Sequence, residues 1–151
     1  MPRASVIATV LVAACALPPV ADAQLASRPV AEWTKTLESP ERIAGLKIDE
    51  VIARLKLGPT DVVADLGAGT GLFAVPLAKA VPSGRVYAVE LDEGFLTQVR
   101  GKAKAGNVNN VVPVLGKFTD PALPARDVDV AFFHDVLHHV ENRTAYLKSV
   151  T

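Results

Sequence analysis

The sequence predicts an α/β fold in which a parallel β-sheet is wound on both faces by helices. Short apolar runs of strand type alternate with helical segments from residue 41 to the end of the chain. Alternation of this kind is typical of parallel strands joined by right-handed crossovers. The predicted strands are 62–66, 85–90, 110–115 and 128–133, and the predicted helices are 41–55, 72–80, 95–105 and 142–150.

Composition and charge exclude some classes of protein. Half of the 151 residues are hydrophobic, and the formal net charge is zero. This balance excludes a disordered chain, and no basic tract or aromatic platform points to a nucleic acid. The single cysteine, Cys15, excludes a disulfide within the chain.

The segment D-L-G-A-G-T-G at residues 65–71 places the carboxylate of Asp65 just before a glycine-rich turn at the end of the first strand. Glycine backbones reach conformations that other residues avoid and let a ligand approach the main chain closely. We expect the free N–H groups at the start of the helix that begins at Leu72 to point at the same place. The turn therefore predicts a cofactor site.

The spacing of the glycines in the turn indicates which kind of cofactor binds there. The dinucleotide fingerprint G-x-G-x-x-G needs a third glycine where this chain has Leu72. Asp65 also places a negative charge close to where a pyrophosphate would lie, which favours a ligand with a cationic end. Glu90 ends the second strand about twenty residues past the glycines, the distance at which an acid usually holds a ribose diol.

At this point the chain resembles the class I S-adenosylmethionine-dependent methyltransferases, in particular the branch that acts on small molecules. The resemblance runs from about Leu46 to the C-terminus, in four segments that occur in the family's order. These segments are 63–71, 86–92, 115–120 and 129–140.

The resemblance implies a Rossmann-like fold, S-adenosylmethionine as the cofactor and methyl transfer to a small-molecule acceptor. Asp65 would position the methionine end, Glu90 the ribose, and Leu91 would lie against the adenine. The family usually has an acid where this chain has Lys117, and a lysine cannot accept a hydrogen bond from the adenine amino group. Asp120 is expected to take over that role. The cofactor-binding residues implied are Asp65, Gly67, Ala68, Gly69, Gly71, Glu90, Leu91, Phe118 (through its main chain) and Asp120.

His134, at the end of the fourth strand, is the candidate catalytic residue. It would serve either as a general base with a pKa suited to neutral pH or as a hydrogen-bonding neighbour of the cofactor's methionine end. His138 and His139 match paired histidines of the family, with a structural or a chemical part. The pattern H-D-x-x-H also resembles a zinc motif, but all three histidines lie in this one segment, and we expect no metal.

The N-terminal residues 1–23 have the pattern of a signal peptide. A basic start precedes an apolar run too short to span a bilayer, and Ala21-Asp22-Ala23 predicts cleavage before Gln24. We therefore expect export, to the periplasm. The alternatives are a lipid anchor on Cys15, within a lipobox-like segment, and a cytoplasmic enzyme whose start codon is mis-assigned.

Residues 24–40 are predicted to form a mostly polar linker or lid ahead of the domain that spans 41–151. In the resembled family this region often covers the substrate, which makes Trp33 and Arg42 candidates for substrate contact. Trp33 could equally cap the edge of the sheet. Ser39 and Pro40 are typical of a helix start.

Two rival functions stay open. A nicotinamide-dependent oxidoreductase would share the strand, the glycines and the ribose acid, although Leu72 and Asp65 argue against it. A non-catalytic binding protein on a methyltransferase scaffold would suit an exported chain, because little S-adenosylmethionine is found outside the cytoplasm. The family has seven strands and four are predicted here, so we expect a truncated copy or a fragment.

Overall fold

The computed structural model describes residues 28–150. The predicted signal peptide, its cleavage before Gln24 and the alternative anchor at Cys15 lie outside the described residues, and export stays a prediction. None of the helices in the described range has the length and apolar character needed to cross a membrane.

The four strands form one parallel sheet, which confirms the predicted fold class. The strands are β1 (Val62–Leu66), β2 (Arg85–Glu90), β3 (Val111–Leu115) and β4 (Val130–Phe133). Their spatial order is β3-β2-β1-β4. The chain therefore moves outward from β1 to β3 and then returns to the other side of β1. In open α/β sheets ligands bind beyond the carboxyl ends of the strands where the order reverses, which here is next to β1.

Helices cover both faces of the sheet because the strand side chains alternate. The helices are α1 (Val30–Leu37), α2 (Pro40–Leu46), α3 (Ile48–Leu55), α4 (Ala74–Ala80), α5 (Glu93–Ala105) and α6 (Arg143–Val150), and a short 3₁₀ helix spans Leu137–His139. On one face Val63 and Val86 pack with α4, and α3 contributes side chains to the same cluster. On the other face Leu66, Tyr87 and Val89 pack with α6.

The single helix predicted over 41–55 is wrong, because the chain breaks it at Lys47. This residue has a left-handed backbone, with φ of 47°, and separates α2 from α3. The reason is packing: Leu46 and Ile48 both contact the core, yet residues two apart lie on nearly opposite sides of one helix. The left-handed turn allows both to face inward. Ser39 caps α2 as expected, since its Oγ accepts the Arg42 N–H at 3.3 Å.

One further expectation needs correction. The helix after the glycines begins at Ala74 and not at Leu72, because residues 67–73 form successive turns. Within the segment 24–40, predicted as a linker or lid, residues 30–37 form the helix α1.

Polar contacts over long sequence distances hold α1 against α5. Gln98 donates to the Thr34 hydroxyl at 2.8 Å, and Lys102 forms an ion pair with Glu38. Burial opposes the charge of Glu38, but the hydrogen bond from Lys102 and its positive charge lower the pKa of Glu38 overall. Neither α1 nor α2 contains a fully buried residue. The two helices therefore form a cover held by few contacts.

We expect this cover to open before the sheet does. Backbone N–H groups of residues 30–46 should exchange with solvent faster than those of β1 and β2, because local opening there exposes little apolar surface. Hydrogen exchange followed by mass spectrometry measures both segments in one sample. Equal protection of the cover and the two strands would contradict this expectation.

Candidate active site

The glycine turn folds back onto the end of β2. Gly67 and Ala68 both donate their N–H groups to the Val89 carbonyl at 2.9 Å, and the Gly69 N–H donates to Glu90 Oε2 at 2.8 Å. Gly67, Gly69 and Gly71 all have positive φ, of 81°, 54° and 83°, as such a tight path requires. Three N–H groups of the turn are thus used within the protein and are not left for an anion.

Two cavities adjoin this turn, one of about 250 Å³ and one of about 60 Å³. Five residues line both cavities, and two of the five are glycines of the turn. The shared wall consists of Leu37, Arg42, Gly67, Gly69 and His134.

Asp65 lines the smaller cavity at the end of β1. Its side chain is buried, and its Oδ2 atom has no hydrogen-bond partner within residues 28–150. Burial, and then the charge of nearby Glu90, raises the pKa of Asp65 to about 7 from its ordinary value of 3.8. A buried carboxylate oxygen without a partner is costly. It therefore provides a site for a cationic or hydrogen-bond-donating group.

Glu90 lines the larger cavity at the end of β2. Its Oε1 accepts the Leu91 N–H at 2.7 Å, and its Oε2 accepts from Gly69. Burial raises the pKa of Glu90, although these two hydrogen bonds act in the opposite direction. Each carboxylate oxygen can accept a further hydrogen bond. A pair of neighbouring hydroxyl groups fits this arrangement.

Beyond Glu90, Leu91 and Phe118 give the larger cavity apolar walls, and Lys117 lines it too. Asp120 is not among the lining residues of either cavity. Its Oδ1 accepts the Ala122 N–H at 2.8 Å within its own loop. The structure therefore brings Lys117 to the cavity and holds the carboxylate of Asp120 in a turn.

Ala68 and Gly71, the other two predicted cofactor-binding residues of the turn, lie in different surroundings. Ala68 lines the smaller cavity. Gly71 lines neither cavity, and its N–H donates to the Ala68 carbonyl at 2.9 Å. A Cβ at Gly71 would meet Val99 of α5 at 3.1 Å. Gly71 therefore allows the turn to pack closely on α5.

His134 lies at the end of β4 and lines both cavities. Its ring packs against Phe73, with 4.9 Å between ring centroids. Burial and the positive charge of Arg42 lower its pKa. These effects favour the neutral imidazole, which is able to accept a proton. His138 and His139 line the larger cavity, with their ring centroids 4.0 Å apart.

Trp33 and Arg42, on the cover, also line the larger cavity, so Trp33 contributes to a cavity wall and does not only cap the sheet edge. Trp33 Nε1 and Arg42 Nε are buried and have no hydrogen-bond partner among residues 28–150. The Arg42 guanidinium reaches Asp135 Oδ2 at 3.4 Å. This contact joins the cover to the loop after β4.

Sequence reasoning missed several residues of the cavity, among them Val136 and Tyr146. A Cβ at Gly67 would lie 2.6 Å from Val136 Cγ2, so these two residues are in close contact. Burial, and then the charges of Asp120 and Glu90, raise the pKa of Tyr146 to about 12. No local signal marks either residue, because each reaches the site through tertiary packing.

We predict that Gly67→Ala destabilises the protein. The added methyl would force a left-handed alanine against Val136, which should cost on the order of 2 to 3 kcal/mol. Urea unfolding followed by circular dichroism measures the change. Gly101→Ala is the matched control, because a Cβ there meets nothing within 4 Å in the middle of α5 and should stabilise by about 0.5 to 1 kcal/mol. Equal stability of the two variants would contradict the assigned close contact.

We also predict that Asp65→Asn removes a pH dependence of the stability. Because the folded-state pKa of about 7 exceeds the ordinary 3.8, the folded protein binds the proton more tightly, and stability falls as pH rises from about 4 to about 7. The asparagine variant should lack this fall and be more stable than the wild type at pH 7 by on the order of 2 to 4 kcal/mol. Urea unfolding at several pH values measures it.

Glu141→Gln is the control for this pH series, because its side chain is exposed. It should follow the wild-type profile. If Asp65→Asn followed that profile as well, the buried carboxylate would not be the group that titrates.

Comparison with known proteins shows which family of proteins this chain is similar to. The model of the methyltransferase domain matches residues 63–151. Among solved structures, an S-adenosylmethionine-dependent methyltransferase from Aquifex aeolicus superposes with a TM-score of 0.69 at 24% identity, covering 83% of this chain and 68% of that one. Magnesium protoporphyrin IX methyltransferase from Synechocystis, with bound S-adenosylhomocysteine, gives a TM-score of 0.63 at 20% identity, covering 80% and 60%.

Two curated relatives match shorter stretches. A tRNA(Phe) (4-demethylwyosine(37)-C(7)) aminocarboxypropyltransferase from Methanocaldococcus jannaschii is 31% identical over 90 residues, which is 58% of this chain and 36% of the relative. A probable ribosomal RNA small subunit methyltransferase A from Methanosarcina barkeri is 39% identical over 62 residues, covering 40% of this chain and 21% of the relative. The chain thus spans about a third and about a fifth of the length of these relatives.

These findings confirm the Rossmann-like fold and support S-adenosylmethionine as the cofactor. The matched region includes β1, the glycine turn, Glu90 and His134. By that match the chain belongs to the methyltransferase domain family.

Proposed function

We propose that the protein transfers a methyl group from S-adenosylmethionine to a small-molecule acceptor. The observation that carries this proposal is the buried Oδ2 of Asp65, which has no hydrogen-bond partner among the described residues and lies at a cavity that adjoins Glu90 across the glycine turn. One carboxylate suits the cationic methionine end of the cofactor, and the other suits its ribose hydroxyl groups. Leu91 and Phe118 would flank its base.

The same observations argue against a nicotinamide dinucleotide. A pyrophosphate binds through free N–H groups of the turn, and three N–H groups of this turn already donate to Val89 and Glu90. The nearby Asp65 would also repel it when charged. The residues present therefore fit a cation better than a diphosphate.

When bound, S-adenosylmethionine supplies a methyl group on a positively charged sulfur. The protein's part is to align the acceptor, exclude water and take a proton where the acceptor carries one. His134 is placed for the last task because it lines both cavities and its lowered pKa favours the neutral form. Trp33 and Arg42 would contact the acceptor and shield it from water.

A small acceptor is supported by the shape of the site. The cavity lies beneath the cover, whose residues Trp33, Leu37 and Arg42 form part of its wall. The formal net charge of zero provides no general attraction for a polyanion such as RNA. The names of the curated relatives refer to tRNA and ribosomal RNA, so RNA is the class against which the small-molecule proposal is tested.

We predict that Glu90→Ala weakens binding of S-adenosylhomocysteine, and of S-adenosylmethionine, by roughly 10- to 100-fold, because hydrogen bonds to a charged acceptor are lost. Isothermal titration of the purified protein measures this. Glu93→Ala is the matched control, since Glu93 is a nearby carboxylate on the exposed side of α5. Undiminished binding by Glu90→Ala would contradict the assigned ribose site.

Binding alone would also be expected of a non-catalytic scaffold. Methyl transfer from radiolabelled cofactor, screened against small-molecule pools and against total RNA, separates the alternatives. Label found only in small molecules supports the proposal, and label found only in RNA overturns the acceptor class. His134→Gln should keep cofactor affinity while lowering turnover.

A further inference from the structure

Asp65 is a buried acid whose charge has little support from the protein around it. The residue is 2% exposed, and its Oδ2 has no hydrogen-bond partner within residues 28–150. The Thr70 hydroxyl lines the same cavity but does not donate to Asp65, because its Oγ1 also lacks a partner among these residues. A carboxylate in such surroundings loses its hydration without compensation. The empty site therefore favours the protonated acid.

The charged groups around Asp65 do not reverse this preference. Glu90, at the end of the neighbouring strand β2, is a second acid and opposes a negative charge on Asp65. The other titratable residues that line the smaller cavity are Arg42 on α2 and His134 after β4. The Arg42 guanidinium pairs with Asp135, and His134 favours its neutral form. None of the ion pairs among residues 28–150 includes Asp65.

A ligand with a cationic end changes this balance. The methionine end of the proposed cofactor carries an ammonium group, which is positively charged and donates hydrogen bonds. Beside it, Asp65 gains both an opposite charge and a donor for Oδ2, and each of these favours the ionised carboxylate. Binding of the cofactor and ionisation of Asp65 are therefore coupled.

We propose that the cofactor's ammonium group displaces a proton from Asp65, so that binding at neutral pH or below releases this proton to solvent. The O–H bond of the carboxyl group breaks, and the resulting carboxylate accepts a hydrogen bond from the ammonium. The inference rests on the proposed function, because it concerns the same cofactor in the same cavity. As a consequence, the protein binds its cofactor more weakly as the pH falls.

Isothermal titration of S-adenosylhomocysteine at about pH 6.5, in PIPES and in bis-Tris, measures the proton release, because these buffers differ in ionisation enthalpy. With a pKa of about 7 for Asp65 in the empty site, about three quarters of a proton should be released per ligand bound. Affinity should be about eightfold lower at pH 6.0 than at pH 7.5, for the same reason. The ligand's own amino group contributes little, since its ordinary pKa of about 8 leaves it protonated beforehand.

The matched control ligand is 5′-deoxy-5′-methylthioadenosine, which keeps the adenine and the ribose but lacks the amino acid end. It should bind without releasing a proton. The variant Asp65→Asn should bind S-adenosylhomocysteine without proton release as well. His134→Gln should release as much as the wild type, because the histidine is not the group that titrates.

The outcomes distinguish this inference from the function on which it rests. Binding of S-adenosylhomocysteine without proton release overturns the inference and leaves the cofactor assignment standing. Equal release with both ligands, release that persists in Asp65→Asn, or release that is lost in His134→Gln also overturns it, because a group other than Asp65 would then titrate. If neither ligand binds the folded wild type, as judged by circular dichroism, the inference and the proposed function both fall.

Discussion

The hydrogen bonds that fold the glycine turn onto β2 determine what this site can hold. Gly67 and Ala68 share the Val89 carbonyl, and Gly69 donates to Glu90. Because of these bonds, the three N–H groups are not available to bind phosphate, as they otherwise would be in such a turn. The bond from Gly69 also fixes the Glu90 carboxylate at the cavity. Recognition then depends on carboxylates, which favour a cation and hydroxyl groups. The chemistry of the site follows from where the backbone donors are directed.

The same turn couples the two sides of the site. Gly67 lies against Val136, two residues beyond His134, so the end of β1 limits where the loop after β4 can run. Asp135 in that loop has a left-handed backbone, with φ of 56°. Strained conformations of this kind persist where surrounding structure requires them, commonly at functional sites. The position of His134 is therefore set partly by a glycine in the turn that follows the neighbouring strand β1.

The sequence was sufficient to predict the features that depend on neighbouring residues or on a repeated pattern. Apolar runs marked the strands, and because parallel strands end at one edge, Asp65, Glu90 and His134 could be placed together in advance. The break at Lys47 could not, since it depends on Leu46 and Ile48 facing the same core. The helix α1 was missed because its stabilising contacts, such as that from Gln98 to Thr34, span 64 residues. The capture of the Asp120 carboxylate by its own turn is a geometric detail that no residue pattern records.

The cover formed by α1 and α2 links exclusion of water to the chemistry beneath it. Its closed position leaves Trp33 Nε1 and Arg42 Nε buried, with no hydrogen-bond partner in the part of the chain that the structure describes. Each such donor costs about 1 to 3 kcal/mol until a ligand accepts from it. The exposed pair between Arg42 and Asp135 offsets little of that cost. An acceptor that hydrogen-bonds to these donors thus stabilises the closed cover. The Arg42 charge also helps lower the pKa of His134. The position of Arg42 therefore contributes both to closing the cavity and to favouring the neutral form of the histidine.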